Sequence, residues 1–183
     1  LPASAENYIL EYEASWNGFT VGELKVEVKE DAKKYNYGAY INSAGLLRTF
    51  TKYWSKNIST GSIAGGKIIP NHYSTYWERK KEKHGVEISY KNAGKTVVEV
   101  STPPEIRPKR PIVAPKDKNN TLDPVAAAFS AKKKIAQIVA SGKALPQKIV
   151  IPSFDGRRCF DVELTITGWQ TKRYKGTSQE LLE

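Results

Sequence analysis

The sequence predicts a mainly β, antiparallel fold with one main α-helix. Apolar and polar residues alternate with period two along several segments, the pattern of half-buried strands. Turn signals interrupt these segments about every ten residues, a spacing that argues for a sandwich, barrel or spiral. The composition is 39% hydrophobic with 10 Tyr and 4 Trp, which suits a wrapped sheet better than a helical bundle. A chain of 183 residues has the size of one domain, so residues 6–183 read as a single β-rich unit. No apolar run reaches the ~18 residues of a transmembrane helix.

The elements follow in order. Leu1-Pro2-Ala3-Ser4-Ala5 ends in the small-residue Ala-x-Ala pattern that signal peptidase accepts, so residues 1–5 read as a signal-peptide remnant and the chain as exported. Tyr8, Leu10, Tyr12, Ala14 and Trp16 share one face of a first strand, with Glu11 and Glu13 on the other. Asn17-Gly18 supplies a two-residue hairpin turn. Leu24, Val26 and Val28 form the apolar face of a second strand, and Gly22 marks a bulge where Phe19 and Val21 fall out of phase. Tyr35, Tyr37, Ala39 and Ile41 alternate along a third strand over 33–43, completing a meander. Over 44–54 the period changes: Leu46, Leu47, Phe50, Tyr53 and Trp54 recur at helical spacings, so a short helix is expected there, with a strand as the alternative.

Strands are expected to resume after Gly61, around Tyr73–Trp77, Val86–Tyr90 and Thr96–Val100. Residues 102–120 hold five prolines and five Lys or Arg and read as a surface loop. Asp123 as cap, Pro124 at the first helical position and an alanine-rich body up to Gly142 predict a helix over 123–141. Lys132, Lys133 and Lys134 crowd its middle, so one of them must reach past the apolar stripe. Lys148–Pro152, the Asp155-Gly156 turn, Phe160–Ile166 and a segment from Trp169 complete the expected sheet.

Several chemistries find no support. Gly61 to Lys67 matches the G-x-x-x-x-G-K half of a phosphate loop, but Ile68 stands where Ser or Thr should hold magnesium, and Pro70 follows where a helix should start. His72, His84 and Cys159 have no metal-ligand spacing, and one cysteine makes no intrachain disulfide. Glu11/Glu13 and Asp161/Glu163 are same-face neighbours on strands, unlike glycosidase carboxylates, which face each other across a cleft. There is no nucleophile elbow. No catalysis and no cofactor are therefore expected. The formal charge of +10 favours anionic partners. It is uneven: residues 6–31 carry seven acidic side chains against Lys25 and Lys29, a local −5 that leaves +15 elsewhere. Nucleic acid is not expected, because most Tyr and Trp occupy the apolar phase of strands and read as core, not as stacking platforms.

Three ordered patterns carry a family resemblance: Gly66-Lys67-Ile68-Ile69-Pro70-Asn71-His72-Tyr73, Asp123-Pro124-Val125-Ala126-Ala127-Ala128-Phe129, and Phe154-Asp155-Gly156-Arg157-Arg158-Cys159-Phe160-Asp161-Val162. With the Tyr-rich meander before them, they resemble the exported bacterial domain-of-unknown-function family DUF3108 over nearly the whole chain. The resemblance implies a periplasmic protein with an open or spiralling antiparallel β-barrel around a helix, similar in shape to lipoprotein carriers and lipid-binding envelope proteins. It brings no catalytic residues. The basic loop departs from the family pattern, and the chain is expected to stop before the family's final strands, which leaves barrel closure open.

The expected function is non-enzymatic binding of an amphipathic envelope component, a lipid or an acylated protein, in the curved sheet. Trp16, Phe50, Trp54, Trp77 and Phe129 are expected to line the apolar surface. Arg107, Lys109, Arg110, Lys132, Lys133 and Lys134 are expected to meet anionic groups. The alternative is a scaffold with a filled core, docking another envelope protein through the basic loop or a sheet edge.

Overall fold

A computed structural model describes residues 5–104, 111–174 and 177–182. Seven strands form one antiparallel sheet in sequence order: β1 Glu6–Trp16, β2 Phe19–Glu30, β3 Lys34–Ser43, β4 Tyr53–Ala64, β5 Lys67–Arg79, β6 Glu82–Lys91 and β7 Thr96–Thr102. The sheet is an open meander and does not close into a barrel; β1 and β7 are its edges. Its turns follow from local chemistry. Asn17 and Gly18 both have positive φ, as the tight β1–β2 hairpin requires. Asp31 Oδ1 accepts the amides of Lys33 and Lys34, each at 2.7 Å, and so closes the β2–β3 turn. Gly65 and Gly66 form the β4–β5 turn, so the phosphate-loop-like glycines are hairpin residues.

The short helix α1 spans Gly45–Thr51 and the longer α3 Pro124–Ala140, both close to their expected positions; α2 is a single turn, Pro115–Lys118. Two hairpins complete the chain: β8 Lys148–Phe154 with β9 Cys159–Thr165, and β10 Trp169–Tyr174 with β11 Thr177–Leu182.

Helix α3 lies between the large sheet and the β8–β9 hairpin. On the sheet side, Val125, Ala126 and Phe129 pack against Val28, Tyr37, Tyr73 and Ile88. Here Phe129 stacks on Tyr37 at 3.9 Å between ring centroids, and Tyr37 on Tyr35 at 4.5 Å. On the other side, the fully buried Ala127 and Ala131 meet Ile149 and Ile151. Small alanines on two faces let the helix fit between two layers. The hairpin is docked through Leu122, whose amide donates to Pro152 O and whose carbonyl accepts from Phe154 N. Gly156 also helps: a Cβ there would stand 2.2 Å from the Val86 side chain.

Three expectations needed correction. Strand β4 begins at Tyr53, not after Gly61, and the pattern hid it because its helix-side row is polar: Ser55, Asn57 and Ser59. Gly61 lies inside β4, where a Cβ would come within 2.2 Å of Ile69 O, opposite a bulge that also accommodates Pro70. The 102–120 segment sends residues into the core: Lys118 is 6% exposed, its ammonium paired with Glu99 and lying 5.4 Å from the Phe154 ring centroid. Of the aromatic strand residues expected in the core, Tyr35, Tyr37, Tyr73 and Tyr90 are buried, whereas Trp16 is 70% exposed.

Candidate functional site

Strand register divides the helix-side face of the sheet into two halves. One holds the row Tyr8–Val28–Tyr37–Ser59–Tyr73–Ile88, which packs with α3 in the core. Two rows further along is Tyr12–Leu24–Ile41–Ser55–Trp77–His84, and beyond it lies Gly22–Ser43–Tyr53–Arg79–Glu82. Helix α1 flanks this second half, held there by the Ala44 amide donating to Val21 O at 3.1 Å. Between α1 and the sheet opens a cavity of about 530 Å³. Val21, Ile41, Leu47, Tyr53 and Trp77 give it apolar walls, and Asn42, Ser43, Thr51, Arg79 and Glu82 are its polar members. That volume lies in the range of small-molecule sites, and a mostly apolar lining with a few polar groups is their usual chemistry.

The walls are held firmly. Ser43 Oγ accepts the Tyr53 amide at 3.0 Å and donates to its carbonyl at 3.2 Å, which fixes the junction where α1 leaves and rejoins the sheet. Trp77 stacks on His84 of the next strand with ring centroids 4.2 Å apart. Arg79 and Glu82 are cross-strand neighbours at the β5–β6 turn, and Arg79 forms no ion pair among the described residues. A guanidinium is thus set beside an apolar cavity. At the same end of the sheet, Trp16 and Phe19 face each other across the β1–β2 hairpin, and α1 carries Leu46 and Phe50. All four are at least 64% exposed.

The sequence-selected residues do not form one surface. Trp77 lines the cavity, while Trp16 and Phe50 lie at its end of the sheet, strongly exposed. Trp54 is on the opposite face, its Nε1 donating to Glu78 at 3.2 Å and its ring 5.2 Å from Tyr76. Phe129 belongs to the core stack on Tyr37. Lys132 donates to the Tyr8 hydroxyl at 2.6 Å and Lys133 pairs with Glu30, so both tie α3 to the first two strands; Lys134 is exposed. Arg107, Lys109 and Arg110 lie outside the described residues. The pattern missed Ile41, Leu47 and Arg79. Their signal was weak: Ile41 and Leu47 read as ordinary strand and helix residues, and Arg79 as a turn charge.

A second polar cluster sits beneath the N-terminus of α3. Asp123 is fully buried; its Oδ1 accepts the Ala126 amide at 2.8 Å and its Oδ2 the Ser59 hydroxyl at 2.7 Å. Burial raises its carboxyl from 3.8 to about 6, against the pull of those hydrogen bonds. The Tyr35 hydroxyl lies 3.3 Å from Ser59 Oγ, and burial followed by the Asp123 charge pushes its ionisation well upward. Asn57 continues the row, accepting from Thr75 at 2.8 Å and from Tyr73 at 3.3 Å. Ser59 and Asp123 thus lock helix to sheet, while the bonds of Asn57 join β4 to β3 and β5. Among the described residues no three His, Cys, Asp or Glu side chains converge as a metal site would need.

Residues 11–182 match the model of the family described as Protein of unknown function (DUF3108). No curated protein and no solved structure matches the chain.

Proposed function

The chain belongs to the DUF3108 family, and from that premise we propose that it is a non-enzymatic protein of the bacterial periplasm that holds an amphipathic envelope component, a lipid or an acylated protein, in the cavity between α1 and the sheet. The observation that carries this reading is the apolar cavity of about 530 Å³ with Arg79 at its polar end, a guanidinium with no ion pair among the described residues. An acyl chain suits the walls formed by Ile41, Leu47 and Trp77, because removing apolar surface from water contributes roughly 25 cal/mol per Å². An anionic headgroup suits Arg79, whose planar fork matches carboxylate and phosphate oxygens. The exposed Trp16, Phe19, Leu46 and Phe50 give such a ligand an apolar approach from a membrane or carrier. Location in the periplasm is part of the proposal and rests on the Ala3-x-Ala5 pattern.

Native mass spectrometry on protein purified without detergent, followed by solvent extraction, tests the reading. A reproducible bound mass that survives high salt and extracts as an acylated molecule is the expected result. A bare polypeptide mass, unchanged after incubation with fatty acid or lysophospholipid, would overturn it.

A further inference from the structure

We propose that β1 is a docking edge for an extended, basic segment of a partner polypeptide, which adds to the sheet as an eighth strand. The two sheet edges are treated differently. Beside β7, α2 packs against the strand and Lys118 pairs with Glu99. Along β1, pairing among the described residues is with β2 alone, and ten of its eleven residues are exposed. A long exposed edge leaves a row of backbone donors and acceptors open to another strand. Natural edges are commonly blunted by charged side chains, Pro or bulges. Glu6–Trp16 contains no Lys, Arg or Pro, and its register shift falls only at Ala14/Ser15. Its charges are Glu6, Glu11 and Glu13, which repel acidic strands but not a basic one.

Charge selects the occupant. Glu11 and Glu13 lie on the outer face of β1, and neither forms an ion pair among the described residues. Lys25, opposite Glu11, is held by Glu27 at 2.8 Å, and Glu13 faces Glu23. Lys or Arg on an incoming strand would meet these carboxylates, while its alternate apolar residues would meet Leu10 and Tyr12, 38% and 53% exposed. That strand would extend the apolar row Leu10–Val26–Ala39. A second copy of β1 is a poor occupant, because antiparallel self-pairing gathers Glu11 and Glu13 of both copies on one face. This inference is independent of the cavity.

The test uses three eleven-residue peptides at low salt: alternating Val and Lys, alternating Val and Glu, and the Val/Lys peptide with a central Pro. Hydrogen exchange of residues 6–16 and fluorescence anisotropy are read together. The Val/Lys peptide should bind and protect 6–16, and the other two should not. Glu11→Lys with Glu13→Lys, both at exposed positions, should weaken binding about tenfold. No protection of 6–16, equal binding of the Pro-interrupted peptide, or a protein that dimerises through β1 in sedimentation would each overturn the proposal.

Discussion

The carboxylate of Asp123 accepts a 2.7 Å hydrogen bond from Ser59, 64 residues earlier in the chain, and both residues are fully buried. This contact joins the cap of α3 to the central strand of the sheet and has a thermodynamic consequence. Burial sets the folded-state pKa of Asp123 at about 6, above its ordinary 3.8. The native state therefore holds this proton more tightly than the unfolded chain. Its contribution to stability is full below about pH 4, is lost as pH rises towards about 6, and is constant above that. A shift of that size corresponds to about 3 kcal/mol. Asp123→Asn keeps an acceptor for Ala126 but does not titrate. Urea denaturation at a series of pH values should show wild type losing about 3 kcal/mol relative to the variant between about pH 4 and 6. A pH-independent difference would contradict this account of the cluster.

Tyr90 tests the same region from another side. Its hydroxyl is buried with no hydrogen-bond partner among the described residues. Leaving such a group unsatisfied costs about 1–3 kcal/mol. Tyr90→Phe should therefore leave stability unchanged or raise it by about 1 kcal/mol in thermal and denaturant unfolding. A clear loss of stability would show that the hydroxyl has a partner.

Phe129 separates core from site. Its ring, stacked on Tyr37, fills the half of the sheet face that α3 covers. Phe129→Ala should cost about 3 kcal/mol of stability. Amphiphile affinity, measured well below the melting temperature, should stay within about twofold of wild type. Lost affinity with retained stability would place the ligand under α3.

Two substitutions at the cavity divide its apolar and ionic parts. Leu47→Glu places a carboxylate at the cavity wall from a position already 42% exposed, so stability should change by less than about 0.5 kcal/mol while acyl-chain binding is lost. Arg79→Ala should weaken an anionic amphiphile about tenfold and an uncharged one of equal chain length hardly at all. Titration calorimetry with a fatty acid and its alcohol makes the comparison.

What was legible in the sequence had a local cause. Asp123-Pro124 announced α3 because capping chemistry lies within four residues, and Asn17-Gly18 announced the first hairpin because positive φ limits the residues that fit. The period-two alternation of Tyr35, Tyr37, Ala39 and Ile41 gave β3 directly. Strand β4 was hidden because Ser55, Asn57 and Ser59 fill its helix-side row, and their burial is offset by hydrogen bonds: Asn57 donates to Ala39 O of β3 and to Ser55, and Ser59 donates to Asp123 at the cap of α3. Reading Trp54 within a helix put it with Phe50; starting β4 at Tyr53 sends it to the opposite face. Of the cavity only Trp77 was legible, because Ile41, Leu47 and Trp77 meet only through register and the placement of α1.

Photo-crosslinking tests the central claim most directly. A long-chain fatty acid carrying a diazirine near its methyl end is irradiated with the protein, and the adducts are mapped by peptide mass spectrometry. Adducts should concentrate on α1 and on the segments around Ile41, Tyr53 and Trp77, and excess unlabelled fatty acid should abolish them. Adducts confined to the outer face around Trp54 and Tyr76, or labelling that unlabelled fatty acid does not compete away, would contradict a binding site between α1 and the sheet.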